Sequence, residues 1–189
     1  MVDIVRRSSL RLQKAVEIQR FLLACETDSY QLVPQPISLN QLEEDLHALF
    51  VNHPVKESKH LIISHDLGDL QIQTDVSLFQ RVMANMITNA LEATEVGEKV
   101  EVNFYKKADT INFSIHNDQV IPEEIKLRIF QRNFSTKANS GRGIGTFSMK
   151  LFGEKILGGK VNFISAAETG TVFTFSLPLN NSNLVNQYS

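Results

Sequence analysis

Cysteine is all but missing from this 189-residue chain. With Cys25 alone, no internal disulfide can close and no thiolate cluster can hold a metal, so a reducing compartment is the expectation and the fold must rest on its core. Charge of one sign is missing too. Nineteen Lys and Arg against 21 Asp and Glu leave a net charge of −2, too little field to capture nucleic acid or an anionic membrane, so any anionic ligand must be held locally. No long apolar run exists either. After Arg6 and Arg7 the sequence is amphipathic and charged, which excludes a signal peptide or membrane span from this stretch. Internal repeats are absent, which excludes a solenoid. At 42% hydrophobic and 21% charged residues, the chain is expected to form one globular domain with a short appendage.

The appendage comes first. Over residues 5–23, Leu12, Ala15, Val16, Leu22 and Leu23 recur at threes and fours, the pattern of a one-sided helix. No neighbouring helix in sequence covers that stripe, so it packs against a second chain or missing sequence, or folds back on its own domain. Residues 27–36 hold Asp28, Ser29, Pro34 and Pro36 and read as a linker. Ser38, with Gln41 three residues on and Ile37 and Leu42 flanking, is a capping box with a hydrophobic staple, so a helix is expected to begin at Leu39.

Residues 60–64 and 69–73 are short β-rich stretches around Asp66-Leu67-Gly68 and read as a hairpin. A strong helix is expected over 76–94, strands over 99–105 and 110–115, and a helix from Pro122 to about Phe130. Residues 131–142 read as a loop, 143–157 as a helix stopped by Gly158 and Gly159, and 160–165 and 171–177 as strands. Residues 181–189 form a tail. Strands and helices mix without regular βαβ alternation, which predicts an α+β fold, a two-layer α/β sandwich with helices on one sheet face and an N-terminal helix.

Two elements carry chemistry. Asn85, Asn89 and Glu92 stack at four and three along one edge of the 76–94 helix, whose apolar arc is Leu78, Val82, Met83, Met86, Ile87, Ala90 and Leu91. Oxygens in such a row suit magnesium, which takes few protein ligands beside phosphate and water oxygens, although a solvated helix edge has the same composition. The second element is Gly141-Arg142-Gly143-Ile144-Gly145 opening a helix, where bare backbone and free amides attract anions. It does not follow a strand by a short turn, so the dinucleotide fingerprint fails, and there is no P-loop.

In order along the chain stand Asn85-Met-Ile-Thr-Asn89-Ala-Leu-Glu92, then His116-Asn117-Asp118-Gln119-Val120-Ile121-Pro122, then Ile129-Phe130-Gln-Arg-Asn-Phe134-Ser-Thr136-Lys137, then Gly141 to Gly145. This co-linear set resembles the catalytic, ATP-binding domain of sensor histidine kinases, within the ATPase superfamily (GHKL, Bergerat fold) that includes gyrase, Hsp90 and MutL. The resemblance spans residues 37–178 and implies an ATP-binding catalytic domain over 37–180. It implies ATP and magnesium as cofactors, Asn89 as the magnesium ligand, and Asn85 as its neighbour one turn earlier, with Glu92 beyond. Phosphates would meet the amides of Gly143 and Gly145, with Gly141 and Ile144 in the same box. Residues 130–142 would be a lid anchored by Phe134, with Thr136 and the candidate phosphate cations Lys137 and Arg142. Phe130 reads equally as core. Asn85, Asn89 and Lys137 are the implied catalytic set, and Ile121 borders the base site.

The first glycine box departs from the family. Its usual Asp-x-Gly-x-Gly is absent, and no glycine occurs between Gly97 and Gly141. Strand alternation through Ile111, Phe113 and Ile115 puts Asn117 where the adenine-reading aspartate would stand, if the box is one residue short. Asn117 can accept but lacks the charge. Gln119 and Val120 bring side chains where the family keeps bare backbone, and His116 is a candidate pocket residue.

The implied activity is transfer of the ATP γ-phosphoryl group to a histidine outside this fragment. His65-Asp66-Leu67 is a poor acceptor, lacking a following proline or an amphipathic helix. Residues 1–26 would be part of a dimerisation and phosphoacceptor domain of a larger, homodimeric, two-component kinase. Its partners would be those helices and a response regulator, and its place the cytoplasm, free or as the inner part of a membrane-anchored sensor. No nucleic acid and no direct membrane contact are expected. In gyrase and Hsp90 relatives a glutamate base precedes the magnesium asparagine by one turn. Asn85 fills that slot and cannot take a proton at neutral pH, which favours transfer to histidine over hydrolysis. The rival reading is a degenerate, non-catalytic module that docks a response regulator or partner kinase.

Overall fold

The computed structural model describes residues 16, 19–24, 27, 29–132 and 145–179. The chain divides into two compact units, Met1–Leu32 and Val33–Ser189. In the first, residues 19–24 are helical, Leu22 is buried and Leu23 exposed. The helix end is tied off locally: the backbone N–H groups of Ser29 and Tyr30 both donate to the Ala24 carbonyl, and the rings of Phe21 and Tyr30 lie 4.9 Å apart.

In the second unit, strand β1 (Gln35–Ser38) runs directly into helix α1 (Leu39–Phe50). Gln35 and Pro36, linker by composition, are therefore strand residues. Ser38 is the N-cap expected of it, its Oγ accepting from the Gln41 N–H at 3.2 Å. The reciprocal half of the box is absent, because Gln41 Nε2 donates to Asp45 instead. Leu39, Leu42, Leu46 and Phe50 make the buried stripe.

A short 3-10 turn (Pro54–Lys56) leads to β2 (His60–His65), and β3 (Gln71–Thr74) precedes helix α2 (Val76–Ala93). The expected hairpin does not form. β2 joins the main sheet in parallel with β4 (Lys99–Lys107), while β3 pairs antiparallel with β1, Ile72 opposite Ile37. The reason is packing at long range. Leu61 and Ile63 face inward beside Val100 and Val102, partners that a local turn signal cannot reveal.

β4 pairs with β5 (Thr110–Asn117), β5 with β7 (Gly170–Pro178), and β7 with β6 (Lys160–Ala166), all antiparallel, giving a five-stranded sheet in the order β2-β4-β5-β7-β6. Alternation sorts its two faces. Val100, Val102, Phe104, Ile111, Phe113, Ile115, Phe173, Phe175 and Leu177 are buried, whereas Asn103, Ile164 and Tyr105 point outward and are exposed. Onto the buried face α2 lays Leu78, Phe79, Val82, Met83, Met86, Ile87, Ala90 and Leu91. Phe79 meets Phe113 edge-on at 4.7 Å. Full burial of each such side chain is worth about 1.5–3 kcal/mol, so this helix-on-sheet contact is the core of the fold. The result is the expected two-layer α+β sandwich.

Two later helices differ from expectation. The one opened by Pro122 is a single turn, α3 (Glu123–Lys126), and the chain then turns through residues 127–130. The last begins as α4 (Gly145–Lys150) and widens into a π-helix (Leu151–Ile156). There the Leu157 N–H donates to the Phe152 carbonyl, five residues back, so that Phe152 and Leu157 are both buried. Among the described residues no helix is long and apolar enough to cross a membrane.

Candidate functional site

Asp75 positions the central helix. Its Oδ1 accepts from the Leu78 N–H at 3.0 Å and its Oδ2 from the Val33 N–H at 3.0 Å, so one buried carboxylate caps α2 and holds the segment that leads into β1. From that start, Asn85 and Asn89 fall on the helix edge that meets α4. Asn85 Nδ2 donates to Ser148 Oγ at 2.9 Å, and Ser148 Oγ donates onward to the Gly145 carbonyl at 2.8 Å. Asn89 stands one turn further on, half-buried, without a hydrogen bond among the described residues. A Cβ on Gly145 would sit 3.9 Å from Asn89 Oδ1, so the backbone that opens α4 faces this carboxamide across ordinary contact distance.

Asn89 and Gly145, one residue from each motif, thus lie together. Glu92 is exposed on the same helix. Phe134, Thr136, Lys137, Gly141, Arg142, Gly143 and Ile144 lie outside the described residues.

The third motif lies at the end of β5. Asn117 is 3% exposed, on the buried face, as strand alternation requires. Its Nδ2 has no hydrogen-bond partner among the described residues. Opposite it is Thr171, also buried, whose Oγ1 donates to the Gln119 carbonyl at 2.7 Å and shares a hydrogen bond with Ser165 Oγ at 2.8 Å. Ser165 Oγ in turn accepts from the Ile121 N–H at 2.8 Å, so two hydroxyls hold the segment from Gln119 to Ile121 against the sheet end. Gln119 is not turned inward: its Nε2 donates to Glu98 Oε2 at 3.0 Å, tying the end of β5 to the chain that leaves α2, and Val120 is half-exposed.

His116 faces the other way and lines no pocket on the helix side. Its Nε2 lies 3.0 Å from the Thr169 carbonyl and its Nδ1 3.4 Å from Glu101 Oε2, on the outer sheet surface. The reason is parity, since Asn117 and His116 must point to opposite faces. Glu101 also accepts from Lys99 Nζ at 2.9 Å, and this bond, with a smaller contribution from His116, holds its carboxyl below the ordinary glutamate range. His65 ends β2 rather than sitting in a turn. Its side chain is 2% exposed, stacked 5.3 Å from Phe104, with Nε2 3.2 Å from Glu43 Oε2, which is no place for a phosphoryl acceptor. Phe130 packs edge-on against Phe163 and Phe173, with Lys150 Nζ 5.1 Å above it, so its reading as core is the one observed.

Two positioning residues escape sequence reasoning, Ser148 and Thr171. Each follows a glycine in its own element, Ser148 three residues after Gly145 and Thr171 directly after Gly170. Only the partners reveal their work.

Among the described residues no cluster of three His, Cys, Asp or Glu could hold a metal by itself. A divalent ion here would take one amide oxygen from Asn89 and complete its shell with phosphate and water oxygens, which is the habit of magnesium. The Asn89 carboxamide, unpartnered among the described residues, fits that donor set.

Comparison with known proteins identifies the family. The chain is 30% identical over 165 residues to the heme sensor protein HssS of Staphylococcus aureus (strain Newman), an overlap of 84% of this chain and 35% of HssS. It therefore spans about a third of the length of the curated relatives it matches. The solved catalytic domain of histidine kinase ThkA superposes with a TM-score of 0.68 at 28% identity, covering 79% of this chain and 97% of that domain. ThkA in complex with the response regulator protein TrrA gives 0.70 at 26% identity, over 91% of this chain and 49% of that one. The family model for histidine kinase-, DNA gyrase B-, and HSP90-like ATPases matches residues 74–181, more than half of the sequence, and the chain belongs to that family.

Proposed function

We propose that this chain is the catalytic part of a sensor histidine kinase: it binds ATP with magnesium between α2 and the glycine segment and directs the γ-phosphoryl group to a histidine on a segment outside residues 37–180. The observation that carries this reading is Asn89, a half-buried carboxamide without a side-chain hydrogen bond among the described residues, facing the bare backbone of Gly145. In the proposal Asn89 ligates magnesium, which supplies neutralisation of phosphate charge. Asn85 positions the start of α4 through Ser148 rather than acting as a base. Backbone amides of Gly143 and Gly145 receive phosphate oxygens, with Gly141 and Ile144 shaping that turn. Lys137 and Arg142 add charge, Thr136 a hydroxyl and Phe134 an anchor for the lid. Glu92 borders the outer edge, and Asn117 and Ile121 border the base.

Phosphoryl transfer of this kind rests on positioning and charge neutralisation, so no side chain need become a nucleophile. A carboxamide at Asn85 cannot take a proton from water at neutral pH, and a neutral imidazole is the better acceptor of the phosphoryl group. Residues 1–26 are proposed to belong to the dimerisation and phosphoacceptor domain of a homodimer. A response regulator is the proposed downstream partner, as ThkA was solved with one. The cytoplasm is the proposed location.

The test is phosphorylation of the full-length protein from γ-labelled ATP. Acid-labile, alkali-stable label that needs magnesium and Asn89 supports the reading, and its absence from a folded, ATP-saturated protein contradicts it. The neutral Asn117 in place of the family's aspartate favours the second reading, a non-catalytic docking module. That reading requires that the chain bind a response regulator but no nucleotide.

A further inference from the structure

A buried amide donor left without an acceptor costs about 1–3 kcal/mol, and Asn117 Nδ2 is one. Its neighbours do not relieve it. Thr171 Oγ1, across the strand pair, is committed to the Gln119 carbonyl and Ser165 Oγ. His116 lies on the other face. Gly170 packs closely on this end of β5, where a Cβ would be 2.3 Å from the Asn117 carbonyl, and its hydrogen side chain offers no acceptor. Gln119, two residues on, spends its own amide on Glu98. Among the described residues nothing supplies that acceptor, and the edge of a bound base would.

We propose that Asn117 pairs with the Watson–Crick edge of a purine through both its amide atoms, and that the site therefore admits 6-oxo purine nucleoside triphosphates alongside ATP. This rests on the reading above that the cleft takes a nucleoside triphosphate. Adenine offers an N6–H donor beside the N1 acceptor. Guanine and hypoxanthine offer the O6 acceptor beside an N1–H donor. A carboxamide carries one acceptor and one donor group, and a half-turn about its last torsion exchanges them, so it matches either edge with two hydrogen bonds. A carboxylate only accepts. It would serve the adenine N6–H but set an oxygen against O6 of guanine, which is how an aspartate at this position discriminates and an asparagine does not.

The experiment is displacement of trinitrophenyl-ATP from the 189-residue chain by ATP, GTP and ITP with magnesium, for wild type and Asn117→Asp, with a thermal melt of each. ITP isolates the 6-oxo edge from the 2-amino group of guanine. Expected are apparent affinities for the three nucleotides within about tenfold in the wild type, and a shift of at least about tenfold toward ATP in Asn117→Asp. Two results overturn the inference alone: ATP displacing while GTP and ITP lag by more than that margin in the wild type, or a folded Asn117→Asp with an unchanged ratio. Should Asn117→Asp fail to fold, the wild-type ratio decides. If neither the probe nor any nucleotide binds, the nucleotide reading itself falls, and this inference with it.

Discussion

Asn85 on α2 and Ser148 on α4 are joined by a hydrogen bond of 2.9 Å, and the same hydroxyl reaches the Gly145 carbonyl at 2.8 Å. The glycine end of α4 is thereby registered against the helix that carries Asn89. Removing the hydroxyl in Ser148→Ala leaves Asn85 Nδ2 without its acceptor. Each of Ser148→Ala and Asn85→Ala is expected to cost about 1 kcal/mol, with a coupling energy of about 0.5–1.5 kcal/mol in a double-mutant cycle. Urea denaturation of the four proteins measures it. Additive losses would mean the contact does not register the two helices.

Gly170 is required twice over. Its φ of +65° suits a residue without Cβ, and a Cβ there would lie 2.3 Å from the Asn117 carbonyl and 2.8 Å from Asp118 Cα. Backbone cannot yield as a flexible side chain does. Gly170→Ala is expected to destabilise by at least about 2 kcal/mol, strain and clash together, read as a lowered thermal midpoint.

Asp75 caps α2 and also holds the Val33 N–H. Losing a cap costs about 0.5–2 kcal/mol, and a second orphaned donor adds to it. Asp75→Ala is therefore expected near the top of that range in chemical denaturation, with Asp75→Asn recovering part of the loss.

How far the sequence is legible depends on whether a signal is local. The cap at Ser38, the apolar arc of α2 and the strands read over 110–115 and 171–177 follow from periodicities and side-chain chemistry within a few residues of each other. So does the inward face of Asn117, by parity alone. The partnership of Ile63 with Val102 and of Ile72 with Ile37 is not local, and the turn at Gly68 misleads because it resembles a hairpin tip. The π-helix is likewise set from outside. Gly153 rides so close to the sheet that a Cβ would be 2.8 Å from Val161 Cγ2. Of the site, sequence spacing yields Asn85, Asn89 and the glycine segment, while Ser148 and Thr171 emerge only from what they touch.

Acid should weaken the outer face. Lys99, and secondarily His116, keep the Glu101 carboxyl below its ordinary range, so its folded-state value lies under its unfolded one. The stability this adds is complete above the unfolded value and is lost as pH falls through the folded one. Screening at this part-exposed pair keeps the effect to a fraction of a kcal/mol. The gap in melting temperature between wild type and Glu101→Gln is expected to be present at neutral pH and to close on acidification. A gap that widens in acid would contradict the assignment.

Magnesium-dependent nucleotide binding is proposed to turn on Asn89 and the backbone it faces at Gly145. Calorimetric titration of wild type and Asn89→Ala with a non-hydrolysable ATP analogue, with and without magnesium, tests it most directly, because the Asn89 side chain makes no hydrogen bond among the described residues and its loss should leave the fold intact. Saturable binding that strengthens with magnesium in the wild type, and loses that strengthening in Asn89→Ala at an unchanged thermal midpoint, is the predicted result. Equal magnesium dependence in both proteins, or no binding by the folded wild type, would contradict it.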